Sequence, residues 1–210
     1  RGKYITLLGA EMSGKSTQIA LLKKNLSDLN VASLNFHEPL DENIPFTTKL
    51  SDLTYASFGD VRPLTTALLY SAARVEIVEK EKELLDKGFW ILSDRNYLDT
   101  IIYQHYVQGL NLEIVEQLVK FAQNGLESDL TILLDIDIET SKKRRLSGSN
   151  RIGNDKIDSF DDSFHQKVID AYREEAKKRN WIVIDAAQRI DLISREILNK
   201  VRSEFNEYFQ

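Results

Sequence analysis

The sequence predicts an α/β protein: a three-layer α/β/α stack around a five-stranded parallel sheet. Two observations carry this. Short apolar runs alternate with longer helix-spaced runs along the chain, and neighbouring parallel strands need such helical crossovers. The first apolar run also leads into a glycine-rich loop, which belongs at the carboxyl end of a strand and ahead of a helix.

That loop is Gly9-Ala10-Glu11-Met12-Ser13-Gly14-Lys15-Ser16-Thr17, two glycines separated by four residues and followed by lysine and hydroxyl side chains. Glycines let the backbone curl so that successive N–H groups face a phosphate, and the next helix adds its positive end. Lys15 is then predicted to reach the β- and γ-phosphates, and the Ser16 hydroxyl to hold Mg²⁺. The flanks agree. Tyr4 to Leu8 reads as a buried strand, and Lys15 to Leu29 as a helix with Ile19, Leu22 and Leu26 on one face. The chain is predicted to bind a nucleoside triphosphate in a P-loop.

The remaining elements follow in order. Val31 to Phe36 reads as a second strand, and Leu40 to Val61, holding Pro45 and Gly59 and lacking periodicity, as a surface excursion. Leu64 to Lys87 resumes helical spacing through Leu68, Ala72, Val75 and Val78, with Gly88 placed as a C-terminal cap. Phe89 to Leu92 is a third strand. Two helices follow, Leu98 to Val107 and Leu112 to Asn124, the second burying Val115, Leu118, Val119 and Ala122. Leu130 to Leu134 is a fourth strand, apolar enough to be covered on both faces. A helix begins at Ile138 and dissolves into Ser147-Gly148-Ser149-Asn150. Phe164, Val168, Tyr172 and Ala176 mark another helix, Trp181 to Ile184 a fifth strand, and Ile193, Ile197, Val201 and Phe205 the inward stripe of the last helix. Trp90 and Trp181 are expected in the core. The glycine loop, Asp94 and Asp135 should all meet beyond the strands' carboxyl ends.

Composition narrows the classes. With 210 residues and 42% hydrophobic content the chain is expected to fold as one domain, residues 1–210. A net charge of −5 argues against general affinity for nucleic acid or anionic membrane. The absence of cysteine excludes disulfides and suits a reducing cytoplasm. No apolar run approaches the roughly 20 residues of a membrane span. The N-terminal run enters the phosphate loop directly, so it is expected to be the first core strand and not a signal peptide. His37, His105 and His165 lack metal-ligand spacing.

Further motifs appear in a fixed order: Glu38-Pro39 after strand two, Leu68-Leu69-Tyr70-Ser71-Ala72-Ala73-Arg74 in the long helix, Ser93-Asp94-Arg95-Asn96-Tyr97 after strand three, and Tyr103-Gln104 downstream. With the acid-containing glycine loop and a basic segment after strand four, this series resembles the thymidylate kinase family of the bacterial type, from about Tyr4 to Tyr172. The resemblance implies transfer of the ATP γ-phosphoryl group to dTMP with Mg²⁺, on a nucleoside monophosphate kinase fold with a mobile lid near 142–160. It implies that Tyr70 stacks on thymine, Arg74 bonds the thymine edge, and Arg95 grips the acceptor phosphate as a fork. Tyr103 would crowd the sugar's 2′ position and Gln104 touch base or sugar. Glu11 and Asp94 would sit by the sugar hydroxyl, the metal and its waters, with Ser16 and Asp94 as the metal pair. Glu38 and Pro39 would line the acceptor site. The family's bacterial members keep their catalytic arginine in the lid, so Arg144 and Arg151 are the candidates; the family also implies a homodimer.

Other readings stay open. Basic residues at a helix C-terminus can simply offset its dipole, which applies to Lys142-Lys143-Arg144-Arg145. Tyr70 could be plain core, Asp94-Arg95 a structural pair capping the next helix, and Asp135 is expected to cap the lid helix. The chain also departs from the family pattern. His37 replaces arginine, Leu40-Asp41-Glu42 replaces Gly-Gly-Thr, and Met12 takes a glycine position. Asn96 replaces tyrosine, and Asp99-Thr100 a serine pair. Most departures surround the acceptor, so another deoxynucleotide or deoxynucleoside is the alternative substrate. A member that binds nucleotide without turnover is a further reading. A guanine-specific switch is disfavoured, because no Asn-Lys-x-Asp occurs.

Overall fold

A computed structural model describes residues 1–55, 60–147 and 160–209. Five parallel strands, β1 (Tyr4–Leu8), β2 (Ser33–His37), β3 (Trp90–Asp94), β4 (Leu130–Asp135) and β5 (Ile182–Asp185), lie in the order β2-β3-β1-β4-β5. In the parallel register Leu7 stands beside Asp94, and His37 beside Asp94 on the other side. The carboxyl ends of β1, β2 and β3 therefore converge. The strand order reverses at β1, which is where such a sheet opens a ligand crevice.

The helices are α1 (Lys15–Asp28), α2 (Pro45–Tyr55), α3 (Pro63–Asp86), α4 (Leu98–Thr100), α5 (Leu112–Gln123), α6 (Ile138–Ser147), α7 (Asp162–Arg179) and α8 (Ile190–Glu204). Ile5, Leu7 and Leu8 are wholly buried in the main core, with Ile19, Leu22 and Leu26 of α1, Val168 and Tyr172 of α7, and Ile193, Ile197 and Val201 of α8. A second cluster packs Tyr4, Phe36 and Ile91 against Ile77, Val78 and Leu85 of α3. Gly88 caps α3 at φ 89, as its position predicts. Trp90 is buried and meets the rings of Phe205, Tyr208 and Phe209 edge-on. Trp181, expected in the core and in strand five, lies one residue outside β5 and is half-buried.

Several expectations change. The stretch read as a surface excursion holds α2, and its Thr47 and Thr54 are buried. Asp41 turns the chain into it by accepting from the N–H groups of His37 at 2.9 Å and Asn43 at 2.8 Å. The inward face of α2 uses threonine, so no apolar period was visible.

On α3 the predicted stripe is displaced. Leu68, Ala72 and Val75 are exposed, while Ala67, Tyr70, Ala73, Arg74 and Ile77 are buried along with Val78. Polar Arg74 and Glu81 lie on the buried face and hid it from an apolar count. Leu118 of α5 is half-buried, not buried. The helix expected over Leu98 to Val107 is α-helical only through Thr100, and Ile101–Val107 continues in the wider π form. Such bulges often serve a site, and this one buries both Tyr103 and Gln104.

Candidate active site

The loop between β1 and α1 needs left-handed backbone at three points. Gly9 has φ 150, and a Cβ there would come within 2.6 Å of the Leu134 carbonyl. Gly14 has φ 93 at the start of α1. Met12 has φ 66, a conformation in which a side chain costs about 1–2 kcal/mol relative to glycine. Ala10 and Ser13 are buried and a 3.3 Å bond from the Ser13 N–H to the Ala10 carbonyl closes the turn, while Ser16 and Thr17 are exposed at its mouth. Lys15 folds back over the loop, donating from Nζ to the carbonyls of Gly9 at 2.8 Å and Ala10 at 3.2 Å. Burial, and next the Arg95 charge, lower its pKa.

One carboxylate, Glu11, belongs to this loop, and a second, Asp94, faces it. Ser16 donates to Asp94 Oδ2 at 2.6 Å, while Asp94 Oδ1 is buried with no hydrogen-bond partner. Against the upward push of burial, His37, Lys15 and Arg95 hold the Asp94 carboxyl well below the usual range. Glu11 accepts from the Tyr103 hydroxyl and from Arg95 Nη2 at 3.2 Å on Oε1, leaving buried Oε2 without a partner. Burial pushes Glu11 up too, yet Arg95, Lys15 and Tyr103 bring it down to about 2. Both acids are ionised at neutral pH. The two orphaned oxygens and the Ser16 hydroxyl are hard oxygen donors and fit Mg²⁺, which takes one or two carboxylates and fills its shell with phosphates and water.

Arg95 follows β3 with φ 76 and is clamped between acids, Nη1 lying 2.6 Å from Asp99 Oδ2 and Nη2 on Glu11. Neither Asp94 nor Arg95 caps the next helix; ahead of it Asn96 Oδ1 accepts from the Leu98 N–H at 3.0 Å.

Arg74 is buried, bonding Glu38 Oε2 at 2.8 Å, Thr100 Oγ1 at 3.2 Å and the Asn96 carbonyl at 3.3 Å. These occupy three of its five N–H donors. Tyr4 donates to the other Glu38 oxygen at 2.7 Å. Pro39 is buried next to it, after a cis peptide bond. Tyr70 packs in a small cluster with Leu40 and Ala73. Gln104 is wholly buried; its Nε2 donates to Gln108 at 3.3 Å and its Oε1 has no hydrogen-bond partner.

The basic segment divides. Arg144 is tied down, donating to the Met12 carbonyl at 3.0 Å and the Ala186 carbonyl at 2.7 Å, so it bridges the P-loop to the turn after β5. Lys142 and Arg145 pair instead with Asp162 at 2.6 Å and 3.4 Å. Arg151 and most of the expected lid lie outside the described residues. Asp135 does not cap the lid helix. It pairs with Arg173 at 2.9 Å, and Asp137, standing immediately before α6, takes the cap by accepting from the Thr140 N–H at 2.8 Å.

The sequence reading gave no role to Asp99, Tyr172, Thr100 or Asp41. For Asp99 a signal existed: it lies four residues after Arg95, the spacing at which opposite charges pair on a helix. Nothing local announced Tyr172, whose hydroxyl reaches Asp99 Oδ1 at 2.7 Å across 73 residues of chain.

Lys15, Arg95 and Arg144 thus each bond a residue of the loop, with the two ionised acids Glu11 and Asp94 among them. The family model described as thymidylate kinase matches residues 8–197. Curated relatives named thymidylate kinase include one from Nostoc punctiforme, 38% identical over 97% of this chain and 94% of its own length. Another, from Halothermothrix orenii, is 34% identical over 96% and 97%. A third, from Carboxydothermus hydrogenoformans, is 33% identical over 94% and 95%. The P-loop, the Asp-Arg step after β3 and the Tyr-Gln pair on the π turn thus fall inside one continuous match, and the chain belongs to the thymidylate kinase family.

Proposed function

We propose that this chain transfers the γ-phosphoryl group of ATP to the phosphate of dTMP, giving ADP and dTDP. The observation that carries the reading is the 2.6 Å bond from Ser16 to Asp94, which joins the P-loop to the strand end bearing Arg95. A donor site and an acceptor cation thereby share one wall. The attacking group is an oxygen of the acceptor phosphate, so no protein nucleophile is needed, and alignment with charge neutralisation does the work.

In this reading the loop N–H groups and Lys15 hold the triphosphate, and Arg95 aligns the acceptor phosphate. Tyr70, Arg74 and Gln104 read the base, Tyr103 limits the sugar, and Arg144 and Arg151 offset charge on the transferred group. Mg²⁺, held by Ser16 and Asp94 with Glu11 nearby, would supply neutralisation of the phosphate oxygens. A steady-state assay of ADP release with dTMP, dUMP, dCMP, dGMP and thymidine tests the assignment. The kcat/KM for dTMP is expected to exceed that for each of the others by about ten-fold or more. Thymidine as the preferred acceptor, or no response to any, would overturn it.

The chain is also proposed to pair with a second copy through α3 and α5, which pack side by side. Leu64, Leu68, Val75, Ile114 and Phe121 stand exposed there, Phe121 by 82%. Exposed apolar side chains of this kind suit a two-fold dimer. Light scattering is expected to give twice the chain mass for the unmodified protein and the single mass for Phe121→Asp. A monomer before substitution would remove the proposal.

A further inference from the structure

We propose that Asp99 is a positioning residue for the acceptor phosphate, acting through Arg95. The inference rests on the function proposed above but concerns a side chain to which that reading gives no task.

Asp99 is only 6% exposed and both of its carboxylate oxygens are engaged. Oδ2 takes Arg95 Nη1 at 2.6 Å, and Oδ1 takes the Tyr172 hydroxyl at 2.7 Å. Tyr172 is 1% exposed on α7, so the carboxylate is oriented from two separate elements before it meets the guanidinium. Arg95 has particular need of such a guide. Its backbone is left-handed, at φ 76, and a free arginine side chain samples many rotamers.

The two acids on Arg95 are not equivalent. Glu11 sits farther away, at 3.2 Å, and its bonded oxygen is shared with the Tyr103 hydroxyl. An incoming phosphate monoester can take the place of Glu11 on Nη2 while Asp99 keeps Nη1. The guanidinium plane then stays fixed while one edge changes partner. Serine, the residue of the family pattern at this position, could not hold Arg95 by charge. The carboxylate therefore adds orientation while reducing the net positive charge that the acceptor meets, and the short, doubly anchored contact makes orientation the larger effect.

The test is steady-state kinetics of Asp99→Ser and Tyr172→Phe, varying dTMP and ATP separately, with dTMP binding measured by calorimetry without ATP. Asp99→Ser is expected to raise the KM and the Kd for dTMP about ten-fold while the KM for ATP moves less than about two-fold. Tyr172→Phe, which removes one hydroxyl, is expected to shift dTMP in the same direction by about three-fold. Asp99→Asn keeps one oxygen for Arg95 and should fall between Asp99→Ser and the unmodified protein. Equal changes in both KM values, or a lower melting temperature with neither KM moved, would make Asp99 merely structural. A tighter dTMP interaction in Asp99→Ser would show that its charge only opposes the acceptor. Should Asp99→Ser not fold, an unmoved dTMP KM and Kd in Tyr172→Phe overturns the proposal by itself. An unmodified protein that neither binds nor phosphorylates dTMP would defeat the function reading, whereas normal turnover with unmoved constants defeats only this one.

Discussion

Lys15→Ala is expected to lower kcat by about a thousand-fold, equivalent to about 4 kcal/mol of lost transition-state stabilisation, with the fold retained. The ammonium lies at the loop's own carbonyls, 2.8 Å and 3.2 Å away, where a bound triphosphate would draw it to the β- and γ-oxygens. Charge on those oxygens grows as the phosphoryl group leaves, so the loss should fall mainly on kcat. Stability should change little. Burial and the neighbouring Arg95 already disfavour the charged lysine, and its removal relieves that cost. The check is ADP release beside a melting curve; turnover within about ten-fold of the unmodified protein would remove Lys15 from the chemistry.

Arg74→Ala is expected to have the largest effect on stability, about 3–5 kcal/mol, because it strands a buried carboxylate. The Arg74 and Glu38 side chains are 1% and 2% exposed and 2.8 Å apart. Glu81, also buried on α3, does not hydrogen-bond the guanidinium: both its carboxyl oxygens are buried without a hydrogen-bond partner, and burial, then the Glu38 charge, push its carboxyl up. Among the described residues, Glu38 keeps only the Tyr4 hydroxyl as a side-chain partner once Arg74 is gone. For a chain of this length the melting temperature should fall by roughly 10 °C. Adding Glu38→Gln to Arg74→Ala should recover part of the loss, since the stranded charge disappears. A loss below about 1 kcal/mol would mean that Glu38 had found water or another donor.

The site was unevenly legible. The P-loop could be read because its requirements are local: glycines where φ turns positive, and lysine and serine opening the next helix. The strand before it and the Asp94-Arg95 step were readable for the same reason, as was the inward stripe of α8. Arg144 could be proposed from its place in a basic run. Its actual partners, the Met12 and Ala186 carbonyls, lie 132 and 42 residues away in sequence and left no local mark. Asp135 was misread because its side chain pairs with Arg173, 38 residues later, while Asp137 stands immediately before α6.

The sequence by itself determined the order of strands and helices, the phosphate loop and the family, since each depends on spacing within a few residues or on the order of short motifs. Tertiary structure alone decided which face of α3 turns inward, that α2 exists, and how Arg95 is held. Those outcomes depend on polar groups burying one another: Arg74 with Glu38 across 36 residues, Arg95 with Glu11 across 84. A buried charge is tolerable only beside its partner. An apolar period cannot register such a face, and only the converging ends of β1, β2 and β3 bring the partners within reach.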